Sequence, residues 1–154
     1  MTATVAPWLA RPLAEFVRQS RVHLAVVLEP SGRVLAQHGF TRSVDVMAAC
    51  SLVAAIHASA AELGRQLSGA PFGPLHHGGT ARQVYLAPSA TGAGTVLLLA
   101  VFDEATSLGL VRHYHAAFAR SVEAATAQDL GAPGHSGDLE RDLGRNLAVL
   151  FGRA

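Results

Sequence analysis

The stretch Thr106 to Phe118, "TSLGLVRHYHAAF", sets His113 and His115 on either side of Tyr114 in a chain with eight histidines. Two imidazoles this close suggest a metal site or a general base. Helical geometry argues against both: residues two apart on a helix point about 200° away from each other, so the pair cannot close on one ion. His76-His77 alternates faces if it lies in a strand, and no HxxxH pair occurs elsewhere. Cys50 is the only cysteine, which excludes an intrachain disulfide and a thiolate cluster and reads as a buried, inert thiol. Glycine-rich "GAPFGPLHHGG" and "TGAG" lack the spacing of a phosphate cradle, and there is no GxSxG elbow. Asp103-Glu104 reads as a solvated turn at a strand end. The chain is therefore expected to have no catalytic residues, cofactor or metal of its own.

Composition narrows the class. A length of 154 residues is one domain's worth, half of it apolar and 15% charged, which describes a folded globular chain and not a disordered one. A net charge of +1 gives no reason to expect nucleic acid as a partner. All 12 basic residues are arginine, without a cluster. No run approaches about 18 uninterrupted apolar residues, and the N-terminus lacks a signal-peptide pattern, so a cytoplasmic location without membrane insertion is expected.

The elements follow from periodicity. Pro12 to Ser20 places Leu13, Phe16 and Val17 on one face of a short helix, with Trp8 and Leu9 as an anchor before it. The run "VHLAVVLEPSGRVLAQHGF" is a hairpin of strands over 24–28 and 33–38 around Glu29-Pro30-Ser31-Gly32. An Ala-rich helix covers Ser43 to Leu67. Its stripe of Leu52, Ile56, Ala60, Leu63 and Leu67 is expected to face a sheet. A second stripe of Ala48, Ser51, Ala55, Ser59 and Glu62 would admit a close neighbour. Strands are expected at 82–87 and 95–102, separated by the turn-rich "PSATGAG", with an edge strand around 72–77. Helical spacing resumes with Leu110, Val111, Tyr114, Phe118, Val122 and Ala125, to about Gln128. "LGAPGHSG" then reads as a linker over 129–137. Leu139, Leu143, Leu147 and Leu150 form the stripe of a last amphipathic helix, 138–152, capped by Asp138.

Helix, hairpin, long helix, strands and helix in this order, with "AVVLEPSGRVLAQHG", "VYLAP" and "LLLAVFDEATSLGLVR", resemble the roadblock (dynein light chain) family over Leu13 to Ala125. The resemblance implies an α/β/α sandwich of the α+β type. Its mostly antiparallel five-stranded sheet carries the long helix on one face and the N- and C-terminal helices on the other, with an extra C-terminal helix beyond. Residues 8–128 would be the roadblock domain, with Gly109 allowing the strand-to-helix turn and His113 and His115 incidental. The bacterial, GTPase-regulating branch of the family, which this chain resembles most, implies a homodimer binding one small Ras-like GTPase per two chains. Such members stimulate GTP hydrolysis, and act on nucleotide exchange through the C-terminal helix, by repositioning the GTPase's own groups. Ala48, Ser51, Ala55, Ser59 and Glu62 become partner-binding positions, toward either the GTPase or a second long helix, as do Leu139, Leu143, Leu147 and Leu150. Two other readings are a roadblock scaffold that binds a GTPase or kinase without activating hydrolysis, and a small-molecule sensor domain, which would need a pocket with polar groups.

Overall fold

The computed structural model describes residues 2–39 and 45–131. Six strands form one sheet in the order β1-β3-β2-β6-β5-β4, with every neighbouring pair antiparallel. β2 (Leu24–Leu28) and β3 (Val34–Gly39) are the expected hairpin. Gly32 supplies the positive φ of 97° in its turn, where the Glu29 N–H donates to the Arg33 carbonyl at 2.9 Å. β4 (Leu75–Gly78) is the expected edge strand. β5 (Gln83–Thr91) and β6 (Gly94–Phe102) run longer than the sequence suggested. "PSATGAG" is mostly strand, reversed at Gly92-Ala93, because Pro88 lies beyond the reach of β4, which pairs only with 83–86. A missing N–H is harmless there.

The five strands β2 to β6 are joined by a sixth, β1 (Thr2–Thr4), which pairs with β3 from Thr2↔His38 to Thr4↔Ala36. The Thr4 hydroxyl, donating to the carbonyls of Ala6 at 2.7 Å and Leu35 at 3.1 Å, ties this strand to the body. A 3-10 turn at Pro7–Leu9 follows, leading into α1 (Ala10–Ser20).

Strand alternation divides the core into two layers. Ala25, Val27, Leu98, Ala100, Phe102, Tyr85 and Ala87 point to one face, where Leu9, Leu13 and Phe16 from the N-terminal segment meet Val111, Phe118 and Val122 of α3 (Leu108–Gly131). The rings of Phe16 and Phe118 meet at 5.9 Å between centroids. Leu24, Val26, Leu28, Leu86, Leu97, Leu99 and Val101 point to the other face, under α2 (Val46–Ser68). Asp45 caps α2 by accepting from the Ala48 N–H at 3.2 Å, and left-handed Gly69 ends it.

Two local expectations change. The turn from β6 into α3 does not use Gly109, which lies inside the helix. Asp103 makes the turn by accepting the Ala105 N–H at 2.9 Å, and Ser107 caps the helix through the Leu110 N–H at 3.2 Å. α3 continues to Gly131, so 129–131 belong to the helix and not to a connection. The proposed 138–152 helix lies outside the described residues.

Candidate functional site

α2 has three faces. Cys50, Val53, Ala54, Ala61 and Gly64 are buried toward the body of the protein, and all are small or medium in size. Gly64 is required by close approach: a Cβ there would sit 2.4 Å from the backbone nitrogen of Phe72, where the chain folds back after the helix. Burial pushes the Cys50 thiol pKa up, which keeps it in the unreactive form.

Ala48, Ser51, Ala55, Ser59 and Glu62 are all exposed and share one side of the helix. The bonds of these side chains are local: Ser51 Oγ donates to the Met47 carbonyl at 3.2 Å, and Glu62 accepts from Arg65 and Gln66, each at 3.2 Å. Toward the helix N-terminus the stripe runs into a shallow hollow of about 440 Å³, lined by Gly32, Arg33, Val34, Met47, Ala48 and Ser51. The small side chains leave the helix backbone open to close approach from outside.

The larger stripe is a correction. Leu52, Ile56, Leu63 and Leu67 were expected to face the sheet, yet all four are exposed, Leu52 to 66% and Leu67 to 70%. Ala60, the fifth member, is half-buried. Large apolar residues normally mark the inward face of an amphipathic helix. Here the sheet's own Leu and Val side chains fill the layer, and small residues turn inward so that the helix can lie near them. At 3.6 residues per turn, the four large residues fall in an arc about 60° wide, roughly 120° from the buried arc and about 90° from the small stripe. Phe72 and Leu75, also exposed, follow the helix.

By length and composition α2 would even suit a membrane span, with a mean hydropathy of 1.6 over 18 residues, although its inner face packs on the sheet. Beneath its first turns is a cavity of about 310 Å³, lined by Leu24, Val26, Val46, Ala49, Leu52, Val53, Val84, Leu99 and Val101, with Arg82 as its only charged residue. The convergent polar groups that would orient a small molecule are missing from this lining.

The histidines that first suggested chemistry separate. His113 is exposed and stacks edge-on against Tyr114 at 4.9 Å. His115, expected to be incidental, is buried between α3 and β5, where Nε2 lies 3.1 Å from Ser89 Oγ and the ring meets Tyr85 edge-on at 5.6 Å. Burial lowers its pKa from 6.5. Among the described residues Ser89 and Tyr85, not a carboxylate, meet the ring, so the pair reads as a satisfied core hydrogen bond and not an activated nucleophile. The signal was its spacing with Val111, Phe118 and Val122. His23 Nε2 lies 2.7 Å from Asp103 Oδ2, and the Ala105 N–H together with His23 holds the Asp103 carboxyl below its usual range. Among the described residues no group of three or more His, Cys, Asp or Glu is placed to hold a metal ion. Leu139, Leu143, Leu147 and Leu150 lie outside the described residues.

No family model matches the chain, and no curated protein matches it in sequence. Solved structures do match it. MglB of Myxococcus xanthus is 22% identical, with a TM-score of 0.67 over 75% of this chain and 92% of that one. The gliding protein MglB of Thermus thermophilus is 23% identical, with a TM-score of 0.70 over 79% and 90%. A Roadblock/LC7 domain from Streptomyces avermitilis is 16% identical, with a TM-score of 0.61 over 71% and 89%. The architecture is thus the roadblock fold, nearer in shape to these MglB structures than to that Roadblock/LC7 domain.

Proposed function

From a roadblock fold that overlays most of the MglB structures, we propose that this chain is a homodimeric, cytoplasmic regulator of an MglA-like small GTPase. Two chains bind one GTPase, stimulate its GTP hydrolysis and assist nucleotide exchange, in cell polarity or motility. The chain supplies surface and not chemistry: the GTPase keeps its own catalytic groups, and binding favours their productive arrangement.

The observation that carries this reading is the outward side of α2. The helix exposes Met47, Leu52, Ile56, Leu63 and Leu67 beside a stripe of Ala and Ser, and contiguous exposed apolar residues of this kind mark interaction surfaces. Two adjacent faces suit two neighbours, a second α2 and the GTPase. Ala48, Ser51, Ala55, Ser59 and Glu62 serve one of them. Leu139, Leu143, Leu147 and Leu150 add a second contact for the GTPase. A dimer that continues the sheet must deal with β1, which already occupies the outer edge of β3.

The test is GTP turnover by the cognate MglA-like GTPase with this protein titrated past two chains per GTPase. Acceleration that saturates near that ratio is expected. Binding without acceleration would replace the activating role with that of a scaffold, and absence of binding would end the GTPase reading.

A further inference from the structure

We propose that the groove over Trp8 is the docking site of this chain's own C-terminal segment, residues 138–152. The groove has a volume of about 520 Å³ and opens at the end of the sheet where two hairpins turn. Its lining is mixed: Trp8 from the 3-10 turn and Val5 are its open apolar residues, over the nearly buried Leu35 of β3 and Val96 of β6, and Ser31 and Thr95 add hydroxyls. Its rim carries one charge of each sign, Glu29 and Arg33, paired with each other at 3.2 Å. Such a site suits an amphipathic segment that buries aliphatic side chains and leaves charges at the edge.

The course of the chain selects the occupant. α3 leaves the far end of β6 and reaches Ser89 with His115, and Ser89 pairs with Val96 in the groove floor. From His115 the helix runs on to Gly131, about 24 Å further at 1.5 Å per residue, and it packs against α1 and the 3-10 turn that bears Trp8. The chain therefore leaves the described fold at the groove's end of the molecule. Seven residues lie between Gly131 and Leu139, eight Cα steps that reach up to about 27 Å when extended. The segment then offers Leu139, Leu143, Leu147 and Leu150 at helical spacing, flanked by both signs of charge in Glu140, Arg141, Asp142 and Arg145. A stripe of leucines edged by polar and charged residues suits a groove in which Trp8 and Val5 lie beside Ser31, Thr95 and the Glu29–Arg33 pair.

Trp8 is the only tryptophan of the chain, so its fluorescence reads the occupancy of the groove directly. In the full-length protein alone, without GTPase, Leu143→Asp with Leu147→Asp is expected to red-shift Trp8 emission and raise its quenching by acrylamide, with the far-ultraviolet circular dichroism of the folded domain retained. Unchanged emission and quenching would overturn the proposal. A second measurement does not depend on the charged variant. Ala93→Cys on the groove rim is combined in turn with Leu139→Cys, Leu143→Cys, Leu147→Cys and Leu150→Cys, then oxidised mildly. At least one combination is expected to close a bond within one chain. Bonds only between chains, meaning that a second copy's segment fills the groove, or no bond in any combination, would overturn it. The docking describes the chain without GTPase, and the same leucines leave the groove for the GTPase contact proposed above; because no GTPase is present in either measurement, failure here leaves the regulatory reading standing, and failure of that reading leaves this one standing.

Discussion

The two faces of the sheet are finished differently. Toward α1 and α3, large side chains meet large side chains: Leu9, Leu13, Phe16, Phe102, Val111 and Val122 are all at most 1% exposed. Toward α2, the sheet offers equally large residues, but the helix answers with Cys50, Val53, Ala54 and Ala61 and leaves a cavity of about 310 Å³ beneath its first turns. Its large apolar residues stand on the outside. The first face is completed within the chain. The second holds the helix close and turns its hydrophobic side chains outward, which is the composition of an interface. The regulatory role proposed above would use this division: one rigid face to fix the fold, one incomplete face to receive a neighbour.

The largest expected effect tests that division directly. Phe16→Ala removes a ring packed at 5.9 Å from Phe118 in the finished face, and should cost about 3–5 kcal/mol of unfolding free energy. Leu63→Ala, on the open face, should cost under about 0.5 kcal/mol at concentrations where the protein is monomeric, since surface substitutions rarely do more. If the protein is a dimer through α2, the same Leu63→Ala cost should grow with protein concentration. Urea unfolding of both variants at two protein concentrations checks all three statements. Equal costs for the two residues would erase the contrast between the faces.

Next in size is the consequence for binding. Ala55 is exposed on the small stripe, so Ala55→Arg should leave unfolding unchanged. A guanidinium forced into a close interface both clashes and loses its water, so if the proposed GTPase contact is made at this stripe, a loss of about 100-fold or more in affinity is expected, about 2.7 kcal/mol. Titration calorimetry against the GTPase measures it. Retained affinity would assign the stripe to the second α2, and Ala55→Arg should then disrupt the dimer instead.

Much of the architecture was legible in the sequence because its signals are local. Pro30 and Gly32 mark the hairpin turn, β-branched runs mark the strands on either side, and the apolar run of 96–102 marks a strand buried on both faces, with Thr95 before it exposed. Where the sequence misled, a non-local fact decided. The phase of α2 follows from how much of the layer is already filled by Leu97, Leu99 and Val101, which no helical periodicity reveals. Thr2–Thr4 is too short and too plain to announce itself as a strand, and exists because β3 presents a free edge. The small stripe is exposed, so it stays open to the close neighbour its Ala and Ser spacing suggested.

The smallest effect separates the two faces by pH. His115 is a buried titratable group of the finished face, set between Tyr85, Ser89 and Phe118, and burial lowers its pKa below 6.5 in the folded protein. Below pH 6.5 the unfolded chain therefore binds a proton that the folded chain resists, and stability falls as the pH drops from 6.5 toward the folded value. His38 is shifted in the same direction, so part of the slope belongs to it. His115→Gln keeps a partner for Ser89 without a titrating ring, and its urea midpoint should fall less than the parent's between about pH 7.5 and 5.5. An identical slope would mean that His115 is charged in the folded state. The finished face would then be wet at that point, and the contrast between a closed side and an open one would be weaker than the packing implies.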